Sequence, residues 1–440
     1  MSTAPFRYER YDIDPDRGLL TCHYSLGDRQ FAERVTFARA GRWDAPEVDA
    51  AARLVFLLAG VSYYKTAAPP VIDLSQTALT ATEQDFLRSF YLEGLGEFGY
   101  VNGLDLTDLR IEGPARAQRD APPVSARSGK PLVPFGGGID SIVTVEEIRR
   151  HADPALFIVS RPGDLFDAIE QPAAVTGLPI VRAEREIDAQ LLRSKELGFL
   201  NGHVPVTGIL SAIAVMAAAL EGRDAVVMSN EWSASIPTLE YDGRAVNHQY
   251  SKSASFEAAF RQVLAGQVAY FSALRPFSEL WVAEKFAKLT QYHSTFRSCN
   301  RAFHIDKSKR LDHWCGQCDK CCFIDLILAP FVPAAELGRI FGGHEPLADP
   351  DSGGPLADKF RALLGTSVDD KPFECVGEIG ECRAAALMAV QRPDRAGTKL
   401  LQALAAELPD DPAQPNPADL LRPIGSHFIP DAYATEALLV

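Results

Sequence analysis

Two stretches of this chain carry residue types at spacings that can do chemistry. The first is Leu132-Val133-Pro134-Phe135-Gly136-Gly137-Gly138-Ile139-Asp140-Ser141. A short apolar run, three glycines, then an acid and a hydroxyl opening an amphipathic segment read as strand, tight loop and helix start. That geometry aims backbone N–H groups and a helix N-terminus at one point, which is how proteins hold phosphate. Gly136, Gly137 and Gly138 permit a close approach that a Cβ would block. The competing reading is a glycine-rich turn capped by Asp140. The second stretch is a cysteine cluster. Fifteen residues separate Cys299 from Cys315, and two lie between each of Cys315, Cys318 and Cys321. Four thiolates at this spacing close a tetrahedron with no open position, the mark of a structural zinc site. An iron–sulfur cluster suits the same spacing, and buried free thiols are the bland alternative. Cys322 is surplus. A phosphate loop and a metal cluster on one chain suggest an enzyme more than a binding module.

Four polar groupings are less decodable: Asn201-Gly202-His203, Ser229-Asn230-Glu231, Asn247-His248-Gln249-Tyr250-Ser251-Lys252, and Lys371 to Glu378 with Glu374 and Cys375. Any single His or Glu of this kind is more often a surface or core residue than a catalyst. Glu231 follows a predicted strand at its carboxyl end, where α/β sheets bind ligands.

The elements that must position these residues can be read from periodicity. Phe6 to Ile13, Leu19 to Leu26 and Phe31 to Phe37 read as strands broken by turns at Asp14–Gly18 and Gly27-Asp28. Helical spacing follows at Glu47 to Leu58 and Thr82 to Leu92, capped by Thr80 or Thr82. Residues 1–112 thus read as an N-terminal α+β domain, and 113–131, rich in Pro, Ala, Ser and Arg, as a linker. From Leu132 short buried strands (Ala155 to Ser160, Pro179 to Ala183, Ala225 to Ser229) alternate with helices, the signature of a parallel α/β sheet. The helix after the loop is expected over Ser141 to Arg150. This domain, 132–330, ends in the cysteine knuckle 299–322, and 331–440 reads as mainly helical, with Pro-rich breaks near Asp349 to Pro355 and Pro409 to Pro417.

Composition narrows the function. With 44 Lys+Arg against 58 Asp+Glu the net charge is -14, which argues against nucleic acid as a partner. The N-terminus lacks the apolar core of a signal peptide. Val204 to Leu220 is uncharged, but its length and its Pro, Gly and Ser suit a buried helix better than a membrane span. The crowded cysteines fit a reducing cytoplasm, so a cytoplasmic protein without membrane attachment is expected.

The glycine loop lacks the ending of a Walker motif and the spacing of a dinucleotide fingerprint. It resembles the SGGxDS loop of the PP-loop ATP pyrophosphatases, which cleave ATP to AMP and pyrophosphate while adenylating a substrate; Gly136 stands where the leading Ser would be. More widely, Ala59 to Lys65, Gly94 to Phe98, the Gly136 loop, Asn201 to Thr207, Ser229 to Glu231, Val246 to Lys252, Leu274-Arg275-Pro276, Ser298 to Arg301, the Cys315 knuckle and Lys371 to Glu378 resemble the MurL family of UDP-N-acetylmuramoyl-L-alanyl-L-glutamate epimerases. The likeness runs from about residue 55 to 390. Ile139 and Cys382 depart from residues common in that family, Lys and Ser respectively.

The resemblance implies a fold: a PP-loop, Rossmann-like parallel α/β sheet core with an N-terminal α+β domain, a zinc knuckle and a helical C-terminal region. It implies a reaction as well, the ATP- and Mg2+-dependent inversion of the terminal L-glutamate of UDP-MurNAc-L-Ala-L-Glu through an acyl-adenylate, in peptidoglycan precursor synthesis. Adenylation removes the carboxylate's charge and makes the α-proton removable by a base, with an acid returning a proton on the other face. On this reading Asp140 and Ser141 serve ATP, Cys299, Cys315, Cys318 and Cys321 hold structural Zn2+, and His203 and His248 transfer protons from opposite faces of the α-carbon. Glu374, Cys375 and Glu231 are further catalytic candidates, and Lys252 stabilises an enolate or adenylate oxygen. The rival classes are a ligase or RNA-modifying enzyme like the 7-cyano-7-deazaguanine synthases, and a non-catalytic zinc-stabilised nucleotide sensor.

Overall fold

The chain is described by a computed structural model at residues 4–117, 129–241, 243–264, 268–367, 374 and 376–434. Twelve strands occur among these residues: β1 Phe6–Asp14, β2 Leu19–Leu26, β3 Arg29–Thr36, β4 Val71–Asp73, β5 Arg110–Glu112, β6 Pro131–Pro134, β7 Ala155–Ser160, β8 Ile180–Glu186, β9 Ala225–Met228, β10 Leu239–Tyr241, β11 Arg244–Val246 and β12 Ala269–Ser272. Ten form one sheet in the order β12-β9-β6-β7-β8-β3-β2-β1-β4-β5, and β10 and β11 form a separate ribbon.

The first three strands alternate as their sequence dictates. Phe6 and Tyr8 are buried between exposed Arg7 and Glu9, because successive side chains leave a strand on opposite faces. At the turn into β2, Gly18 has φ +65°, and a Cβ there would lie 2.5 Å from the Phe37 carbonyl. The helix Pro46–Ala59 starts on proline with Glu47 and Asp49 in its first turn, both favourable at that end. Of the two expected caps of the helix Ala81–Gly94, Thr80 does the work: its Oγ1 accepts from Glu83 N at 3.2 Å while Glu83 Oε2 accepts from Thr80 N at 2.8 Å.

In the sheet β6, β7, β8, β9 and β12 run parallel to one another, with β6 between β7 and β9. The chain fills one side of β6 first and then crosses to the other, so the strand order reverses there and opens a crevice at the strands' carboxyl ends. Strand residues alternate between two cores. Val133, Leu156, Ile158, Val227 and Phe271 face one layer, with the helices Ile139–Ile148, Glu279–Ala287 and Asp319–Leu328. Leu132, Phe157, Val226 and Tyr270 face the other, with Pro46–Ala59, Val206–Glu221 and Ala254–Leu264. The uncharged stretch forms most of the helix Val206–Glu221, buried on nearly every side. Among the described residues no helix is long and apolar enough to cross a membrane.

Strands from both sides of 113–131 share the sheet, joined where β3 meets β8 antiparallel. A buried ion pair pins that seam: Arg185 Nε donates to Glu33 Oε1 at 2.8 Å, and the Tyr63 hydroxyl donates to Glu33 Oε2 at 3.0 Å. Most of the expected linker, 118–128, lies outside the described residues. Beyond 331 the described chain is mainly helical, with Pro355–Leu364, Ile379–Val390 and Lys399–Ala406 packed on the layer of Asp319–Leu328. The last described residues return to the sheet. Ile424 N donates to Pro276 O at 2.7 Å, the Ser278 hydroxyl to Leu420 O at 2.7 Å, and the Tyr433 hydroxyl to Asp224 Oδ2 at 3.0 Å.

Candidate active site

β6 delivers the glycine loop to the crevice. Nothing lies within 4 Å of a Cβ built on Gly136, so that side of the loop is open. Gly137 has φ +75°, and a Cβ there would stand 2.3 Å from Ala168 O, so only glycine fits. Gly138 is extended and caps the helix Ile139–Ile148 with no side-chain bond. The helix thus meets the loop with no side-chain cap, the kind of end at which proteins hold anions. The helix begins two residues before the expected Ser141, which puts Asp140 inside its first turn. The Ser141 hydroxyl donates to Gly138 O at 3.1 Å and braces the loop.

Three carboxylates meet beside the loop. Asp140, Glu231 and Glu279 each place an oxygen within 4.8 Å of the others'. Glu231 follows β9, on a turn held by Ser272, whose Oγ accepts from Asn230 N at 2.7 Å. Glu279 opens the helix Glu279–Ala287 behind its cap Ser278, whose Oγ accepts from Trp281 N at 3.0 Å. Burial, then the Asp140 and Glu231 carboxylates, push Glu279 well above the usual carboxylate range. Its Oε2 is buried with no hydrogen-bond partner. Behind it Glu381, pushed up to about 7 mainly by burial, accepts from Glu279 N at 3.0 Å and Glu378 N at 3.1 Å. Packing three carboxylates this close calls for positive charge beside them, and Lys320 supplies part of it at Glu279. An all-oxygen set beside the glycine loop fits Mg2+. Glu231 thus stands as a candidate cation ligand, and Glu279, unremarkable in the sequence, completes the set.

His203 and His248, 45 positions apart in the sequence, come together with ring centroids 4.3 Å apart. Glu97, on the helix Gly96–Asn102, bonds to His248 Nδ1. Burial, then His248 and the cations Lys252 and Lys65, push His203 down to about 4 despite Glu97. Lys252 Nζ donates to Gln249 Oε1 at 2.9 Å, and Lys65 Nζ to Asn201 Oδ1 at 3.1 Å and Gly202 O at 2.9 Å. The ring contact corrects one expectation. No substrate carbon fits between imidazoles in contact, so His203 and His248 do not flank one from opposite faces. His203 also precedes the helix by two residues more than expected, since it starts at Val206.

One buried guanidinium joins the two clusters. Arg275, 1% exposed, donates from Nη1 to Glu231 O at 2.8 Å, from Nη2 to Lys252 O at 2.5 Å and from Nε to Glu257 Oε2 at 3.0 Å. The carboxylate turn and the Lys252 turn are therefore set relative to each other by a rigid planar fork.

The four cysteines converge as the spacing predicts, with their sulfurs within 4.8 Å of one another. Cys315 and Cys321 sulfurs are 3.7 Å apart and Cys318 and Cys321 sulfurs 3.4 Å. A tetrahedron of Zn–S bonds of about 2.3 Å has edges of about 3.8 Å, so the thiols fit zinc. Gly316, φ +65°, makes the knuckle turn, and Gln317 N donates to Cys315 Sγ at 3.4 Å. Cys322 faces the core. A Cβ on Gly138 would lie 3.0 Å from Ser298 Oγ, so the residue before Cys299 touches the glycine loop. On that side Asn300 Nδ2 donates to Glu374 Oε1 at 3.0 Å. Cys375 and Lys371 to Phe373 lie outside the described residues.

Known proteins resemble the chain over nearly its whole length. Residues 1–278 match the family model of the MurL N-terminal domain and 295–418 that of the MurL C-terminal domain. A protein of Xanthomonas oryzae pv. oryzae named UDP-N-acetyl-alpha-D-muramoyl-L-alanyl-L-glutamate epimerase is 38% identical over 98% of this chain and 96% of its own length. Proteins of the same name from Salinispora tropica and a Micromonospora species are each 36% identical over 98% of this chain, covering 94% and 96% of their own.

Proposed function

The chain belongs to the MurL family, and from that premise we propose that it inverts the terminal L-glutamate of UDP-MurNAc-L-Ala-L-Glu to D-glutamate, converting ATP to AMP and diphosphate. The observation that carries this reading is Arg275. It ties a phosphate loop with a carboxylate trio to a histidine pair with two lysines, so activation and proton transfer share one cleft.

Gly136 to Gly138 and the N-terminus of the following helix hold the ATP phosphates. Asp140, Glu231 and Glu279 would hold Mg2+, which when bound neutralises phosphate charge as the pyrophosphate leaves. A substrate carboxylate oxygen attacks the α-phosphorus, pyrophosphate departs, and the glutamyl carboxylate becomes an uncharged acyl-adenylate. Its α-proton then passes to Nε2 of His248, whose Nδ1 is held by Glu97. Lys252 and Lys65 offset the negative charge of the enolate. His203, neutral at physiological pH, packs on His248 and relays its proton. Glu374, held by Asn300 on the glycine-loop side, returns a proton to the opposite face. Water hydrolyses the anhydride and releases AMP. The zinc knuckle does no chemistry; it fixes Ser298 and Asn300 against the loop.

The test is incubation of the protein with UDP-MurNAc-L-Ala-L-Glu, Mg2+ and ATP in D2O. Pyrophosphate release, deuterium at the glutamate α-carbon and D-glutamate after hydrolysis are expected together. Inversion that proceeds equally without ATP would refute the adenylation route.

A further inference from the structure

Beside the histidine pair lies a cavity of about 420 Å³ that none of these steps uses. It is lined by the two elements that also present the Glu97–His248 contact, together with Glu93 and the stretch 103–107. The helix Gly96–Asn102 turns Glu97 toward His248 and Gly96, Gly99 and Tyr100 toward the cavity. The ribbon of β10 and β11 forms the facing wall and runs directly into Asn247-His248. Val246 Cγ1 would lie 3.6 Å from a Cβ on Gly96, so the two walls meet there.

The lining has a specific chemistry. Tyr100 and Tyr241 stand edge to face with ring centroids 4.9 Å apart, and Tyr241 leaves 45% of its surface exposed. An open aromatic face is a stacking surface for a planar base. Arg244 lines the same cavity, exposed, and its guanidinium makes no hydrogen bond or ion pair among the described residues. Such a group takes phosphate oxygens bidentately. Asp105 accepts from Thr107 N at 2.9 Å, which fixes its carboxylate, and Glu93 supplies a second acid on the walls. These acids repel a bare phosphate but accept from ribose hydroxyls and from a pyrimidine N3–H. The combination selects for a nucleoside diphosphate over a simple anion.

We infer that this cavity is the subsite for the uridine diphosphate end of the substrate: Tyr241 stacks on the base, Arg244 binds the diphosphate, and Asp105 takes the ribose. The inference rests on the proposed substrate. It explains how one enzyme holds a long, flexible molecule by the end remote from its reacting carbon. Binding energy from that end orients the dipeptide toward His248 without touching the chemistry.

The experiment uses the full chain and UDP alone, so that no turnover is required. Calorimetric titration should show UDP binding to the unaltered protein, and saturating ATP should leave that binding in place. Arg244→Ala and Tyr241→Ala, both at exposed positions, should each weaken UDP by about tenfold, the worth of one charge-assisted hydrogen bond or one stacking contact. In the epimerase assay the same variants should raise KM for the UDP-linked substrate about tenfold at unchanged kcat. Thermal melting confirms that each variant is folded. No UDP binding by the unaltered protein, displacement of UDP by ATP, or unchanged UDP affinity in both variants would each overturn the subsite. Failure of the epimerase assay with intact, variant-sensitive UDP binding would instead overturn the proposed reaction alone.

Discussion

Gly136 offers a way to separate a phosphate cradle from an ordinary turn. Its backbone lies outside the left-handed region and its Cβ position faces open space. Alanine there makes no clash and restricts the unfolded chain, so Gly136→Ala should leave stability unchanged or raise it by about 0.4–1 kcal/mol. If the open side is where phosphate oxygens approach the backbone, the added methyl occupies their place. Losing the fixed N–H contacts of such a site slows reaction by about 100-fold, or about 2.7 kcal/mol in the barrier. Stability and activity should therefore move in opposite directions. Gly137→Ala is the control: left-handed alanine costs about 1–2 kcal/mol, and contact with Ala168 O adds about 1–3 kcal/mol of overpacking. Urea unfolding and a coupled pyrophosphate-release assay read both quantities. Gly136→Ala protein that releases pyrophosphate at the normal rate would refute the cradle.

Metal analysis should find about one zinc per chain, and Cys318→Ser should lose both the metal and soluble, folded protein; stable metal-free protein would count against the site. Glu97→Gln should keep ATP-dependent pyrophosphate release but slow α-deuterium exchange and shift the pH profile of exchange, because only the carboxylate fixes and charges the His248 contact. His203 is held to about 4 in the folded chain against about 6.5 unfolded. The unfolded state thus takes up a proton first as pH falls, and stability present above pH 6.5 should decline by about 2 kcal/mol toward pH 4. His203→Gln should flatten that decline, as measured by urea unfolding across the range.

What was legible in the sequence follows from how local its causes are. β1 and β2 announce themselves by alternation, Thr80 by the acid three residues on, and the cysteine knuckle by covalent spacing. The glycine loop was placed correctly between strand and helix for the same reason. The histidines could be nominated by their titration range, yet their contact depends on how the helix Gly96–Asn102 and the β11 turn are brought together, which no local pattern encodes. Glu279 and Arg275 follow an apolar strand, β12, too short to register, and gain their roles only because that strand lies beside β9. Glu97 and Arg275 did fall within segments resembling the family, so similarity marked them where periodicity could not.

The returning C-terminal segment has a consequence for how the protein is made. Glu279 reaches the carboxylate trio from a helix whose cap, Ser278, donates to Leu420, and whose first amide donates to Glu381. Pro276, just ahead, accepts from Ile424. These partners leave the ribosome more than a hundred residues after Ser278. A chain still being synthesised can build the glycine loop and the sheet around β6 but lacks the contacts that settle the helix of Glu279. The carboxylate trio is thereby the last part of the cleft to be completed, and a chain cut short before residue 420 should build the glycine loop without the contacts that settle Glu279.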